Sequence, residues 1–134
     1  MAKSERGFSL IEMIVTLAIM AFALSVTVPP IVRMVEAAAF REGIDLFSRE
    51  VENIRVQAFI NGASIIFDPA APASGPLASA RSLAAQGWTF SGDPIAATAL
   101  GVCLGGAVTV RTPDERSATL TVSAPDCHTV NGRL

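Results

Sequence analysis

The amino-acid sequence predicts an α+β fold, with a long N-terminal helix followed by a small antiparallel β-sheet head. Three observations predict it. The run from Phe8 to Val28 is apolar and carries a single charge, Glu12. From Phe40 to Ala58, apolar residues recur at helical spacing. Beyond Gly62 the pattern changes to short stretches of alternating apolar and polar residues, bounded by Gly, Pro and Asp. A chain of 134 residues has room for one small core. Apolar residues at 51% and charged residues at 16% exclude a disordered chain. The net charge of -2 removes the simplest electrostatic argument for a nucleic-acid binder. One His and two Cys leave little for a metal cage or a catalytic triad.

As helix, Phe8 to Val28 spans about 31 Å, which matches a hydrocarbon core of about 30 Å. Lys3 and Arg6 precede it, and a short basic flank is normally retained on the cytoplasmic side, which puts the rest of the chain outside. A Sec-type signal peptide cut after Ala21-Phe22-Ala23 is one reading. Against it, the apolar run continues through Leu24, Val26 and Val28, and a carboxylate stands near its start. An unpartnered acid in lipid is costly, so Glu12 calls for a cation, unless it snorkels to the headgroups.

The order Arg6-Gly7-Phe8-Ser9-Leu10-Ile11-Glu12-Met13, followed by an apolar helix, resembles the class III signal of type IV pilins and type II secretion pseudopilins. That resemblance implies a leader of residues 1–7, cut by a prepilin peptidase between Gly7 and Phe8, and N-methylation of the new Phe8 amine. The apolar segment 8–28 then stays attached as a transmembrane and assembly helix. Glu12 would pair with the N-terminal amine of a neighbouring subunit, a charge-assisted bond favoured in low dielectric.

Pro29-Pro30 ends the apolar run, and Pro29 falls where the resembling family bends its helix. Residues 29–61 read as the amphipathic continuation: Phe40, Ile44, Phe47, Val51, Ile54 and Ala58 share one face. Arg41, Asp45, Arg49, Glu52 and Arg55 are placed on the others for surface ion pairs. The stripe is expected to pack on the head rather than to form a self-pairing coiled coil. Asn61-Gly62 supplies a helix stop.

Residues 62–134 read as an exported β-rich head. Ser64 to Phe67 is expected as a strand, Ala70 to Ala80 as a mobile loop, and Arg81 to Gln86 as its continuation or a helical turn. Gly87 to Phe90 is expected as a strand whose Trp88 fills core rather than stacking on a ligand. Leu100–Leu104 and Ala107–Thr112 flank Gly105-Gly106, a hairpin signal. Val108 and Val110, and likewise Ala118, Leu120 and Val122, alternate with polar residues as half-buried antiparallel strands do. In an oxidising periplasm Cys103 and Cys127 would pair and tie the last strand to an earlier one. Cys103, Cys127 and His128 are too scattered for a metal motif. Asp114, Glu115 and Asp126 lack the alternating oxygen ligands of a calcium loop. No cofactor and no enzymatic activity are expected, since no phosphate loop, nucleophile elbow or His–carboxylate motif is present.

The helix ending near Ile60, Ile65-Ile66-Phe67-Asp68-Pro69 directly after it, the Gly87-Trp88 strand and the closing Asn131-Gly132-Arg133 resemble the GspH/FimT group of minor pseudopilins and pilins. That resemblance implies a minor pseudopilin of a type II secretion system, a structural subunit at or near the tip of a periplasmic pseudopilus. It would sit in the bacterial inner membrane with its head in the periplasm. Its implied partners are other pseudopilins in a hetero-oligomeric filament, the prepilin peptidase, the inner-membrane assembly platform and the lipid bilayer. One rival is a minor type IV pilin in pilus assembly or DNA uptake, in which Arg133 would contact DNA; the few basic residues argue against nucleic acid. The other rival is a solitary membrane-anchored periplasmic binding domain.

Overall fold

The computed structural model describes residues 8–132, so Gly7 of the expected cleavage site and Arg133 lie outside the described residues. Two compact units are present, residues 1–38 and 39–134, and helix α1 (Leu10–Asn61) contributes to both. Pro29 and Pro30 lie inside α1, which runs through them as one element. The helix ends as its sequence dictates. Gly62 adopts φ +62, Gly62 N–H donates to Phe59 O (3.2 Å), and Ala63 N–H donates to Ala58 O (3.2 Å). These two bonds complete a Schellman cap, and the positive φ is open to glycine at little cost.

In the second unit, α1 is followed by β1 (Ile65–Phe67), a 3-10 turn (Pro72–Ser74), α2 (Ala78–Ala85), β2 (Thr89–Gly92), β3 (Ile95–Ala97), β4 (Gly106–Arg111), β5 (Ser117–Ser123) and β6 (His128–Asn131). β1 and β3 form an antiparallel pair, and the remaining strands form an antiparallel sheet in the order β2-β4-β5-β6. Val108, Val110, Ala118, Leu120 and Val122 point inward, and the residues between them point outward, because side chains alternate across a pleated strand. The inward set meets the α1 stripe Phe40, Ile44, Phe47, Val51, Ile54 and Ala58, all buried. Phe47 is fully enclosed, with its ring 5.4 Å from those of both Phe67 and Phe90. Trp88, just before β2, is half-buried and stacks on Phe40 at 5.6 Å, which makes it a core residue.

Three local expectations are corrected. Ala70–Ala80 is not a loop throughout: it contains the 3-10 turn, and α2 starts at Ala78, ahead of the helical turn expected from Arg81. Leu77, at the N-cap, gives α2 no side-chain cap. Glu50 of α1 supplies it instead, accepting from Ala78 N–H (2.7 Å), Ser79 N–H (2.7 Å) and the Ser79 hydroxyl. Second, Gly105-Gly106 does not turn a hairpin. Of Leu100–Leu104, only Cys103 forms a bridge, to Ala97. Gly105 (φ +75) permits a close approach, since a Cβ there would lie 2.9 Å from Val122 O. The hairpin is β4–β5, closed by Thr112 N–H to Arg116 O (2.8 Å), with Thr112 Oγ1 accepting from Arg116 N–H (3.1 Å). Third, the ribbon strand β3 was not expected at all.

Candidate functional site

The N-terminal end of α1 is built from Phe8, Ser9 and Glu12. Phe8 and Ser9 precede the helix. Ser9 O accepts the first helical bonds, from Glu12 N–H (3.0 Å) and Met13 N–H (3.3 Å). Glu12 therefore stands in the first turn, where a carboxylate complements the partial positive charge of the helix end. Its side chain is exposed. Phe8 is also exposed, so the residue expected to carry the methylated amine and the acid expected to receive one occupy the same free helix end.

From Leu10 to Val35 the helix presents large apolar side chains in every direction, and all of them are exposed. A helix apolar all round and uncovered needs lipid or neighbouring helices. Its length and composition suffice to cross a membrane. Its few hydroxyls are satisfied internally, as hydrocarbon requires: Thr16 donates to Met13 O (2.9 Å), Ser25 to Phe22 O (2.7 Å) and Thr27 to Ala23 O (3.0 Å). Pro29 and Pro30 lack N–H groups, which leaves the carbonyls of Ser25 and Val26 without their helical donors.

In the head, Cys103 and Cys127 form a disulfide, with Cα atoms 5.3 Å apart and both residues buried. Cys127 precedes β6 and Cys103 lies in the β3–β4 connection, so the bond ties two loops rather than two strands. The isolated acids have local work. Asp114 contacts Arg116 at 2.9 Å across the β4–β5 turn, and the Thr112 hydroxyl holds its carboxyl below the ordinary carboxylate range. Asp126 accepts from His128 N–H (3.3 Å). His128 is exposed, with Nδ1 3.6 Å from Glu52. Among the described residues, no three His, Cys, Asp or Glu side chains group as a metal site.

Sequence reasoning missed the polar seam along α1. Glu52 accepts from Thr129 N–H (3.1 Å) and from Thr129 Oγ1 (2.7 Å), and Ser48 completes the chain by bonding Thr129 Oγ1. The Thr129 hydroxyl and amide lower the Glu52 pKa, outweighing the opposing effect of burial. Glu52 thus serves β6 instead of the helix-surface pair expected with Arg55. Nothing within α1 signals this, because the partner is 77 positions away.

Residues 2–28 match the prokaryotic N-terminal methylation motif. Neither the curated proteins nor the solved structures yielded a match to the chain.

Proposed function

Starting from a chain that fits a type IV pilin-like protein, with a prepilin-type motif, a long N-terminal helix and a small β-sheet head, we propose that it is a minor pseudopilin of a type II secretion system. The observation that carries the reading is the conjunction of the methylation motif at residues 2–28 with a helix whose apolar side chains are uncovered from Leu10 to Val35. Such a helix is an anchor before assembly and a packing surface after it. The motif supports cleavage at Gly7–Phe8 by a prepilin peptidase, methylation of the Phe8 amine, and assembly with other pilin-like subunits. The Phe8 amine of one subunit meets Glu12 of the next, where low dielectric strengthens a charge-assisted bond.

The chain works as a structural subunit, not a catalyst, and the head gives it its place in a periplasmic filament held at the inner membrane. The direct passage from α1 to β1, with three residues between Asn61 and Ile65, supports a minor rather than a major subunit. Two experiments test this. Glu12→Ala should leave cleavage and methylation intact, seen by mass spectrometry of the N-terminus, while abolishing recovery in filaments; retained incorporation would refute the charge pair. Deleting the gene should stop secretion of folded exoproteins while surface pili persist. The opposite pattern would make the chain a minor type IV pilin.

A further inference from the structure

β6 ends the four-stranded sheet, so one side of it faces β5 and the other is a margin of that sheet. Alternate residues of an antiparallel strand turn their N–H groups to opposite sides. Gly132 N–H donates to Thr119 O of β5 (2.8 Å), so Val130 shares that side while Thr129 and Asn131 turn outward. An outward row of this kind is a template for a further strand, and proteins blunt it with Lys, Pro, a bulge or a covering group. β6 reads His, Thr, Val, Asn and supplies neither Lys nor Pro. Its register with β5 runs without a bulge from Leu120 opposite Asn131 to Ser123 opposite His128. Val130 adds an apolar side chain that is 51% exposed.

The protection comes from α1. Glu52 Oε1 accepts from Thr129 N–H (3.1 Å) and from Thr129 Oγ1 (2.7 Å), and the Ser48 hydroxyl bonds the same Thr129 Oγ1. The carbonyl of an added strand would have to stand about 2.9 Å from the Thr129 nitrogen, and the carboxylate already occupies that place. Displacing it would strip a carboxylate of two hydrogen bonds and leave its charge beside the incoming carbonyl oxygen. The Glu52 side chain stays 40% exposed, with His128 Nδ1 3.6 Å from Oε1. It therefore acts by holding the donor, not by burying the strand.

We infer that Glu52 guards the margin of β6: by occupying the Thr129 N–H it keeps heads from joining sheet to sheet. Thr129 and Asn131 are the two outward positions of the strand, so the guard removes one of the two N–H groups an intruding strand could use. The inference rests on the sheet order and the hydrogen bonds of the head, and it holds whichever filament the chain enters. It also assigns a purpose to the placement of an acid on α1 at this level of the sheet. Ser48 fixes the Thr129 hydroxyl from the preceding turn of the same helix, which holds the amide in line with the carboxylate.

The test uses the full chain in detergent micelles and reads amide exchange and cross-linking side by side. Glu52→Ala should speed exchange at Thr129 about tenfold, the loss of one charge-assisted bond. Glu52→Gln, whose amide oxygen still accepts, should leave it near the native rate. With Val130→Cys added and a short bis-maleimide cross-linker, Glu52→Ala should give dimers as two β6 margins pair. Val130→Cys alone, and Val130→Cys with Glu52→Gln, should stay monomeric. Glu50→Ala with Val130→Cys controls for a general loosening of the head, since it uncaps α2 and leaves Thr129 held; it should stay monomeric too. Unchanged exchange at Thr129 in Glu52→Ala, or no dimers from that chain, would overturn the inference. Equal dimers from Val130→Cys alone, from the Glu52→Gln chain or from the Glu50→Ala chain would also overturn it, because the margin would then open without loss of the carboxylate's hydrogen bond.

Discussion

Reduction of Cys103–Cys127 should destabilise the head by about 3.5 kcal/mol. The bond joins residues 24 positions apart, and the loop-closure entropy withheld from the unfolded chain at that length amounts to about 12 cal/mol/K, or about 3.5 kcal/mol at 25 °C. Both cysteines are buried, at 1% and 0% exposure, so native thiols would keep their packing and the loss falls mainly on the unfolded side. Trp88 is the only Trp of the chain and stacks on Phe40 at the α1–head interface, so its fluorescence reports head unfolding without interference from the membrane segment. With a urea slope of about 1.2 kcal/mol/M, the midpoint of the detergent-solubilised chain should fall by about 3 M when a reductant is added. A shift below about 1 M would contradict a loop-entropy origin of the stabilisation. It would mean that the hydrogen bonds of the loop 98–102 and the surrounding core already restrict the chain without the bond.

Glu50→Ala removes the acceptor for Ala78 N–H and Ser79 N–H; it should cost about 1 to 2 kcal/mol, the range for a lost helix cap, and speed hydrogen exchange in α2 before the sheet. The Glu52 pKa lies below its ordinary 4.5 because of Thr129, so its stabilisation is fully present above about pH 4.5 and is lost as pH falls through the lowered value. Thr129→Val should flatten that acid limb of the pH–stability profile, and an unchanged limb would contradict the assignment. Gly92 adopts φ +125, and a Cβ there would collide with Ala107 O. Gly92→Ala should therefore cost on the order of 3 kcal/mol and loosen the β2–β4 pairing, readable as faster amide exchange at Asp93, whose N–H donates to Ala107 O (2.9 Å).

Features that depend on neighbours along the chain are legible in the residues alone. The apolar run from Phe8, the one acid at Glu12, the helical spacing from Phe40 to Ala58 and the glycine at 62 are local patterns. They specified α1, its buried face and its cap, since a helix repeats every few residues and stops where its own backbone bonds run out. The alternation at Val108–Val110 and Ala118–Val122 likewise marked β4 and β5, because pleating sends successive side chains to opposite faces. The remaining features depend on partners far apart in sequence. α2 begins at Ala78 because a carboxylate from α1 caps it, while the residue at its N-cap, Leu77, has no capping side chain to announce the start. Gly105-Gly106 looked like a turn, yet its freedom is spent on approach to Val122. β3 is too short to show a period and exists because Ile65–Phe67 pairs with it. Glu52 looked like one more solvated charge until β6 brought Thr129 to it. Short elements and caps draw their stability from contacts that the fold must first bring together, and a local pattern carries no record of those contacts.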